Sequence, residues 1–234
     1  DLLWDSPVLL SSGSENQMFQ DAVLTNRGIF ILFEENKNGN SDIFGQLISF
    51  NGDIVGSETG IVICENELNQ NNATIDYSNI LNELMVCWDD ARNGSQDIYC
   101  ASILLYNMLI NEIPVTPYKD LDQKNPYVKY TLTNSALVFW EESGGAILAP
   151  DGSQTTSYYD DIAFQEISSQ GLLMHNIDGE ILCDAFHSQS KPRVDLLSET
   201  ANDFSYVVYW EDGRSSGKED LFNIFSQKLQ LKDC

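Results

Sequence analysis

Acidic side chains are the groups in this chain whose type and spacing could do chemistry. Four clusters of Asp and Glu follow an aromatic position. Paired carboxylates can hydrolyse glycosidic bonds, and hard oxygen ligands in loops suit Ca²⁺. No cluster has an EF-hand spacing, and no carboxylate pair stands out because every copy offers similar acids. The clusters are Glu34, Glu35 and Asp42; Asp89, Asp90 and Asp97; Glu141, Glu142, Asp160 and Asp161; and Glu211, Asp212 and Asp220.

The regular recurrence of these acids favours a structural role over a catalytic one. A turn Asp can accept backbone N–H groups of its own turn, and a nearby Arg can pair with an acid across a hairpin. The aromatic residues, one per copy in an apolar strand, are predicted to pack in the core. The repeated framework comprises Trp88, Asp90, Arg92, Asp97, Trp140, Asp161, Trp210, Asp212, Arg214, Asp220 and Asp42. We predict no catalytic residue and no cofactor here, with Ca²⁺ left open.

One segment does not repeat and is therefore the candidate for a ligand-binding site. The third copy carries an insertion, Ala146–Tyr159, between its turn and its Asp. Binding residues are often placed on such loops, and the candidates here are Asp151, Tyr158, Tyr159 and Asp160. The sequence contains no GxSxG motif, only two His, and too few Arg for a carboxylate-binding arginine cluster of the sialidase kind.

The five Cys have no zinc-site spacing. If the Asn-Gly dipeptide between them forms a hairpin turn, Cys87 lies opposite Cys100. Opposed Cβ atoms in antiparallel strands are about 4.5–5.5 Å apart, slightly more than a relaxed disulfide prefers. A cross-strand disulfide and a pair of reduced core thiols are therefore both open. Cys64 and Cys183 occupy equivalent places in different copies, so we expect them to be free and buried.

The charge balance limits the partners. With 36 Asp and Glu against 12 Lys and Arg, the formal net charge is −24. A surface this acidic repels nucleic-acid phosphates and anionic lipid headgroups, so neither is predicted as a partner. No run approaches the roughly 20 apolar residues of a membrane-spanning helix. The 234 residues suit one large all-β domain or two small ones.

The elements that must position these residues are four copies of one β unit. In each copy an apolar run, a turn and an alternating run predict a β-hairpin, preceded by a short strand and a polar loop containing Gln. Such repetition favours an all-β propeller of four-stranded antiparallel blades. We predict a single domain over residues 1–234, with units at about 11–58, 59–111, 112–177 and 178–234. Residues 1–10 are predicted to complete the last sheet and close a four-bladed ring; the alternative is an excerpt from a longer propeller.

Two phrases of the sequence carry a resemblance to a known repeat. WDDARNGSQDIYCASI and DGEILCDAFHSQSKP resemble the repeat of a secreted β-propeller family of Bacteroidetes, whose pattern is W-x-D-x-R-x-G-x-x-D-I-Y-A-Q followed by a Cys-containing link. The matching residues are Trp88, Asp90, Arg92, Gly94, Asp97, Ile98 and Tyr99, and then Gly179, Cys183, Ala185, Gln189 and Pro192. The resemblance covers nearly the whole chain, although the first and third copies depart most. It implies a propeller outside the cell or on the outer-membrane surface, often as cargo of type IX secretion, and it implies no reaction.

These observations lead to one main functional expectation and two alternatives. Repeats without a unique catalytic cluster predict a non-catalytic propeller, extracellular or at the cell surface, that binds a protein or a glycan. The first alternative is a glycan-cleaving enzyme with its site at the ring centre. The second is a passive cargo or accessory module of a secretion or surface complex.

Overall fold

The chain folds entirely as β-structure. The computed structural model describes residues 6–37, 39–117, 120–148, 154–185, 187–200, 203–214 and 222–231. These residues form sixteen strands in four sheets, and every strand pair is antiparallel. They contain no helix with the length and hydrophobicity that crossing a membrane requires. The all-β class and the antiparallel sheets predicted from the sequence are confirmed.

Each sheet is built from strands that follow one another along the chain. The first sheet contains β1 (Asn16–Thr25), β2 (Gly28–Lys37) and β3 (Asn40–Ile48), with β4 (Ile54–Val55) and β5 (Ile61–Cys64) both paired to β3. The second contains β6 (Gln70–Ser78), β7 (Glu83–Asp90), β8 (Asp97–Leu104) and β9 (Leu109–Pro114). The third contains β10 (Gln123–Tyr130), β11 (Ala136–Leu148), β12 (Gln154–Ile167) and β13 (Glu180–Cys183), and the fourth contains β14 (Gln189–Thr200), β15 (Asp203–Asp212) and β16 (Asn223–Leu231).

The sheets begin and end later than the units predicted from the sequence. The segments TGIVIC and DGEILC, assigned to the starts of units two and four, form β5 and β13. These strands pair with β3 and β12, so each is the outermost strand of the preceding sheet. The physical reason is that the strand just before it in the chain has an unpaired edge, with which the short strand forms hydrogen bonds. The Gln-containing loop then connects this strand to the next sheet.

The predicted closing strand over residues 1–10 is not formed by its described part. Residues 6–10 form no strand, and the fourth sheet has three strands among the described residues. Ser12 donates its N–H and its hydroxyl to the carbonyl of Glu58, at 2.9 and 3.3 Å, so this segment lies against the first sheet instead. Residues 1–5 lie outside the described residues. Within the described ranges no strand pairing joins the first sheet to the last.

The core consists of three apolar layers, one between each pair of consecutive sheets. Successive side chains of a strand point to opposite faces, and β7 shows this clearly. Val86 and Trp88 pack into the layer shared with the first sheet, whereas Met85 and Cys87 pack into the layer shared with the third. A third layer lies between the third and fourth sheets and contains Phe139 of β11 and Val208 of β15. The middle strands are therefore buried on both faces, as their apolar runs predict.

The hairpin register predicted for the second sheet is confirmed. Trp88 lies opposite Tyr99, and Cys87 opposite Cys100. The two Cys are joined by a disulfide. Cys64 and Cys183 are free and buried, as expected from their places in different copies.

Candidate functional site

The first strand of every sheet contains a β-bulge at the same place. The pairing register shifts near the start of each of β1, β6, β10 and β14, and β14 has a second shift between Leu196 and Ser198. In three of the four strands the bulge places a residue in the left-handed region: Asn72 and Asn125 at a φ of 53° and Lys191 at 54°. Asn adopts this region more readily than most residues. A bulge bends its strand and redirects the next side chain, so four side chains are redirected in equivalent ways.

The four bulges surround one cavity, which we call the axial cavity. Neighbouring first strands contact each other in the order β1, β6, β10 and β14. The cavity has a volume of about 620 Å³, within the usual range for small-ligand sites. It is lined by Gln20, Asp21, Asn72, Ala73, Thr74, Asn125, Pro126, Tyr127, Glu141, Ser190, Lys191 and Arg193.

The residue directly after each bulge differs in chemistry from sheet to sheet. In each sheet this residue stands four positions after a Gln, and the pairing with the second strand resumes at it. The four residues are Asp21, Thr74, Tyr127 and Arg193, which follow Gln17, Gln70, Gln123 and Gln189. A carboxylate, a hydroxyl, a phenol and a guanidinium therefore occupy one structural position and line one cavity. Sequence reasoning missed these four residues. Alignment on the Gln of the polar loop was the signal that could have found them.

Asp21 is held firmly at the wall of the axial cavity. Its Oδ2 accepts the hydroxyl of Thr74 at 3.2 Å and the backbone N–H of Ile75 at 3.1 Å, both from the second sheet. Its Oδ1 accepts the backbone N–H of Ala22 at 2.8 Å. These three hydrogen bonds fix the position of the Asp21 carboxyl group at this wall of the cavity.

In each of the first three sheets, a carboxylate on the second strand accepts a hydrogen bond from the bulge of the next sheet. Glu34 accepts the N–H of Asn72 at 2.9 Å, Asp89 accepts that of Asn125 at 3.2 Å, and Glu141 accepts that of Lys191 at 2.9 Å. The Asn amides bond back to the carboxylate of their own sheet, at 2.8 Å in the second sheet and 2.9 Å in the third. The repeated acids thus have a structural role, joining the sheets around the cavity.

Glu141 is the member of this set that also lines the axial cavity. Its Oε1 accepts the Lys191 N–H, its Oε2 accepts the Asn125 amide, and only 4% of the residue is exposed. Burial raises the pKa of Glu141, although these two hydrogen bonds partly oppose the shift. The cavity therefore combines one carboxyl group that holds its proton more strongly than usual with the positioned carboxylate of Asp21.

Two cations and a phenol complete the polar wall. The guanidinium of Arg193 lies 4.6 Å from the ring centre of Tyr127, and its Nη1 donates to the Pro192 carbonyl at 2.7 Å. The Lys191 ammonium donates to Glu211 at 3.1 Å. Burial raises the pKa of the Tyr127 phenol, against the nearby charge of Arg193. Groups that can donate to and accept from sugar hydroxyls therefore face the same space.

The Trp, Asp and Arg residues of the repeat lie in a separate set of contacts. Trp88 Nε1 donates to Asp90 at 2.9 Å, and Arg92 donates to the same carboxylate at 2.6 Å. Arg92 also reaches Cys64 of the preceding sheet at 3.1 Å. The arrangement recurs for Trp210, Asp212, Arg214 and Cys183, and Trp140 donates to Glu142 at 2.9 Å. These contacts tie the outer strand of one sheet to the turn of the next.

The repeated turn Asp residues occupy buried positions away from the lining of the axial cavity. Asp42 accepts the N–H of Asn66 at 3.3 Å, and Asp97 accepts the amide of Asn93 at 2.9 Å. Burial, together with nearby acidic groups, raises the pKa of Asp161 to about 6. Asp220 lies outside the described residues. The described part of the chain contains no group of three His, Cys, Asp or Glu arranged to hold a metal ion.

The insertion of the third copy lies between two long strands, β11 and β12. Both strands are longer than their counterparts in the other sheets, and β11 continues beyond Glu141. Tyr159 packs against His187 with ring centres 5.1 Å apart, and Asp160 pairs with Lys124 at 3.2 Å. Asp151 lies outside the described residues, and Tyr158 is described only as part of β12. Glu141, which lines the cavity, thus lies on the strand that leads into the insertion.

Comparison with known proteins gives a fold likeness and no family. No family model and no curated protein matches the sequence. The chain is similar in structure to an endo-arabinase of Bacteroides thetaiotaomicron, at 9% identity and a TM-score of 0.51, covering 91% of this chain and 75% of that one. It is also similar to an α-L-arabinofuranosidase of Fusarium graminearum, at 11% identity and a TM-score of 0.50, covering 90% of this chain and 64% of that one. The chain thus spans less than two thirds of the arabinofuranosidase.

The fold likeness corrects the main functional expectation. The structural neighbours support a β-propeller arrangement, and both are glycoside hydrolases. The expectation of a non-catalytic binding propeller is therefore wrong. The sequence pattern drew attention to the acids that repeat in every copy and not to the position after the bulge, where the copies carry unlike polar residues.

Proposed function

We propose that this chain is a glycan-cleaving enzyme, a glycoside hydrolase, whose active site is the axial cavity. The observation that carries the proposal is the set Asp21, Thr74, Tyr127 and Arg193, four unlike polar side chains at one repeated position around one cavity. A scaffold repeats what holds it together, whereas a site needs groups of different chemistry. A cavity of about 620 Å³ suits a short stretch of sugar units.

The architecture proposed for this enzyme is a propeller of one domain, with the four sheets as consecutive blades. The apolar layers between consecutive sheets and the shared cavity of their first strands support this arrangement. The first strands are then the innermost strands, and the axis of the propeller runs through the axial cavity. Export from the cell remains part of the proposal, supported by the acidic composition and the resemblance of the repeats.

The two carboxyl groups of the cavity suit the two roles that glycoside hydrolysis requires. One protonated carboxylic acid donates a proton to the leaving glycosidic oxygen, and an ionised carboxylate either attacks the anomeric carbon or activates a water molecule. Glu141, whose burial raises its pKa, is assigned the acid role. Asp21, whose carboxyl group is positioned by three donors, is assigned the second role, that of nucleophile or base. In sum one glycosidic bond breaks, water supplies a hydroxyl to the anomeric carbon, and the leaving sugar gains a proton.

The first substrates to test are furanosides, because the structural neighbours are an arabinofuranosidase and an endo-arabinase. We would measure turnover of 4-nitrophenyl α-L-arabinofuranoside, linear arabinan and a panel of neutral and acidic plant polysaccharides. Wild type should release reducing sugar from at least one of them. Asp21→Asn and Glu141→Gln should each lower kcat by about 100-fold or more, as expected for lost general acid or base groups.

The matched control is Glu34→Gln. Glu34 occupies the position of Glu141 in the first sheet and fastens the Asn72 bulge in the same way, yet it is not part of the lining of the axial cavity. Its replacement should leave kcat within about 3-fold of wild type. Equal losses in Glu34→Gln and Glu141→Gln would show that the repeated carboxylates act only through the fold. No turnover on the whole panel would refute the proposed function.

A further inference from the structure

Arg193 differs from the framework arginines in what its guanidinium contacts. Arg92 donates to the carboxylates of Asp90 and Glu112, and Arg214 donates to Asp212. In contrast, Arg193 forms no ion pair with any described residue, and its one hydrogen bond goes from Nη1 to the Pro192 carbonyl. A chain with 36 acidic and 12 basic residues offers many acidic partners, yet Arg193, which lines the axial cavity, has no ion pair with any of the described ones.

The contacts of Arg193 leave one particular edge of its guanidinium available. Nη1 is used by Pro192, and the planar face lies over the Tyr127 ring at 4.6 Å. Nε and Nη2, which form the remaining edge, have no partner among the described residues. These two N–H groups are parallel and match the spacing of two oxygens of a carboxylate or a sulfate. The Tyr127 ring fixes the plane of the fork, which reduces the loss of side-chain freedom on binding.

The acidic group nearest along the strand has another partner. Asp195, two residues beyond Arg193, accepts the hydroxyl of Tyr209 at 2.9 Å. The cavity carboxylates are also engaged, Asp21 by donors of the second sheet and Glu141 by Lys191 and Asn125. An anion entering the axial cavity would therefore find the Arg193 fork without having to displace a protein carboxylate.

From this geometry we propose that the axial cavity takes a glycan carrying an anionic substituent, a uronic carboxylate or a sulfate ester, and that the Nε and Nη2 edge of Arg193 binds that group. The proposal deepens the function proposed above and rests on it for the statement that the bound glycan is cleaved. Arg193 is then the specificity-determining residue of the site, while Asp21 and Glu141 act on the glycosidic bond.

The test compares charged sugars with their neutral counterparts in binding to the full chain. The probes are trigalacturonate and its methyl ester, and a sulfated galactan trisaccharide and its desulfated form, measured by isothermal titration calorimetry. Wild type should bind the charged member of one pair about 10- to 100-fold more tightly, as expected for a charge-assisted double hydrogen bond. The pair that shows the preference identifies the substituent.

Variants at Arg193 test whether this residue causes the preference for the charged sugar. Arg193→Met should remove the difference between the charged and the neutral member, and Arg193→Lys, which keeps the charge without the fork, should restore only part of it. Lys228→Met, on the last strand and outside the cavity lining, changes the net charge equally and should keep the preference. Because the Arg193 side chain is exposed, its replacement should leave the thermal unfolding temperature unchanged.

The outcomes separate this inference from the proposed function. Equal affinity for charged and neutral members of both pairs, or a preference that persists in Arg193→Met, overturns the inference. Turnover of neutral arabinan without any such preference would support the proposed enzymatic function and refute the inference of an anionic substrate. A preference that depends on Arg193, in a protein that cleaves none of the glycans tested, would support anion binding by Arg193 and refute the proposed catalytic function.

Discussion

Replacement of Asp89 by Asn is expected to stabilise the protein at neutral and basic pH. Asp89 is completely buried between the second and third sheets. Its Oδ2 accepts both the Asn72 amide at 2.8 Å and the Asn125 N–H at 3.2 Å, while its Oδ1 has no hydrogen-bond partner among the described residues. An Asn side chain can keep both hydrogen bonds through its amide oxygen. The substitution removes a buried charge, at the smaller cost of placing the amide NH2 group where Oδ1 has no partner.

The magnitude follows from the pKa of this carboxyl. Burial raises the pKa of Asp89 to about 6 from an ordinary value of 3.8, a difference that corresponds to about 3 kcal/mol. Because the folded-state pKa is the higher one, the protonated form favours folding. Its stabilising contribution is complete below about pH 3.8 and is lost as the pH rises through about 6. Above pH 7 the wild type therefore contains the unfavourable charge, and Asp89→Asn should be more stable by about 1–3 kcal/mol.

The assay is urea-induced unfolding of wild type and Asp89→Asn at pH 8, 6 and 5. The advantage of the variant should shrink by about 1 kcal/mol or more between pH 8 and pH 5. The difference between the two proteins isolates Asp89 from other groups that titrate in this window, such as Asp161. Asp53→Asn, at an exposed turn, makes the same change in net charge and should show no such trend. A variant that is less stable than wild type at pH 8 would refute the reasoning, since it would mean that the charge itself holds the sheets together.

Three further variants test the cross-strand disulfide and the packing around a turn glycine. Loss of the disulfide in a Cys87→Ala and Cys100→Ala double variant should lower the free energy of unfolding by about 3 kcal/mol, since the bond closes a short loop; an unchanged urea midpoint would contradict this. Gly179→Ala should destabilise by about 3 kcal/mol, because its φ is 72° and a Cβ would come within 2.4 Å of Trp140. Gly94→Ala, at a φ of 103° with open space around it, should cost only about 1 kcal/mol, and equal losses in the two variants would contradict the packing argument.

Local sequence patterns were sufficient to predict the hairpins. The apolar runs around Val86 and Val138 predict strands that are buried on both faces, and the turn at Gly94 predicts the opposition of Trp88 and Tyr99, because these features depend on neighbours along the chain. The assignment of strands to sheets was less predictable. A short strand such as β5 carries no signal that says whether it pairs with the hairpin before it or after it, and the pairing with β3 depends on the three-dimensional path of the chain.

The candidate site could not be predicted from motifs, because its residues are related by structure and not by type. Asp21 and Arg193 have nothing in common as side chains, and their shared spacing from a Gln does not show that they follow a bulge or line one cavity. The acids that the sequence makes prominent were interpreted as framework, and the contacts of Asp90 and Asp212 with Trp and Arg are of this kind. Glu141 was included among these acids, and only the cavity distinguishes it from Glu34.

The repeated carboxylates explain how this scaffold can vary its site without losing its fold. Glu34, Asp89 and Glu141 bind the backbone N–H of the bulge, and a backbone contact does not depend on which side chain follows. The carboxylate of one sheet therefore holds the backbone of the bulge in the next sheet. The side chain that follows this bulge can change without loss of that contact. At such a position the backbone fixes the direction of the side chain but does not restrict its type, so a new chemical group can be introduced there at little cost in stability. In a repeat protein of this kind, positions that are equivalent in structure and unlike in chemistry are thus where a site is to be sought.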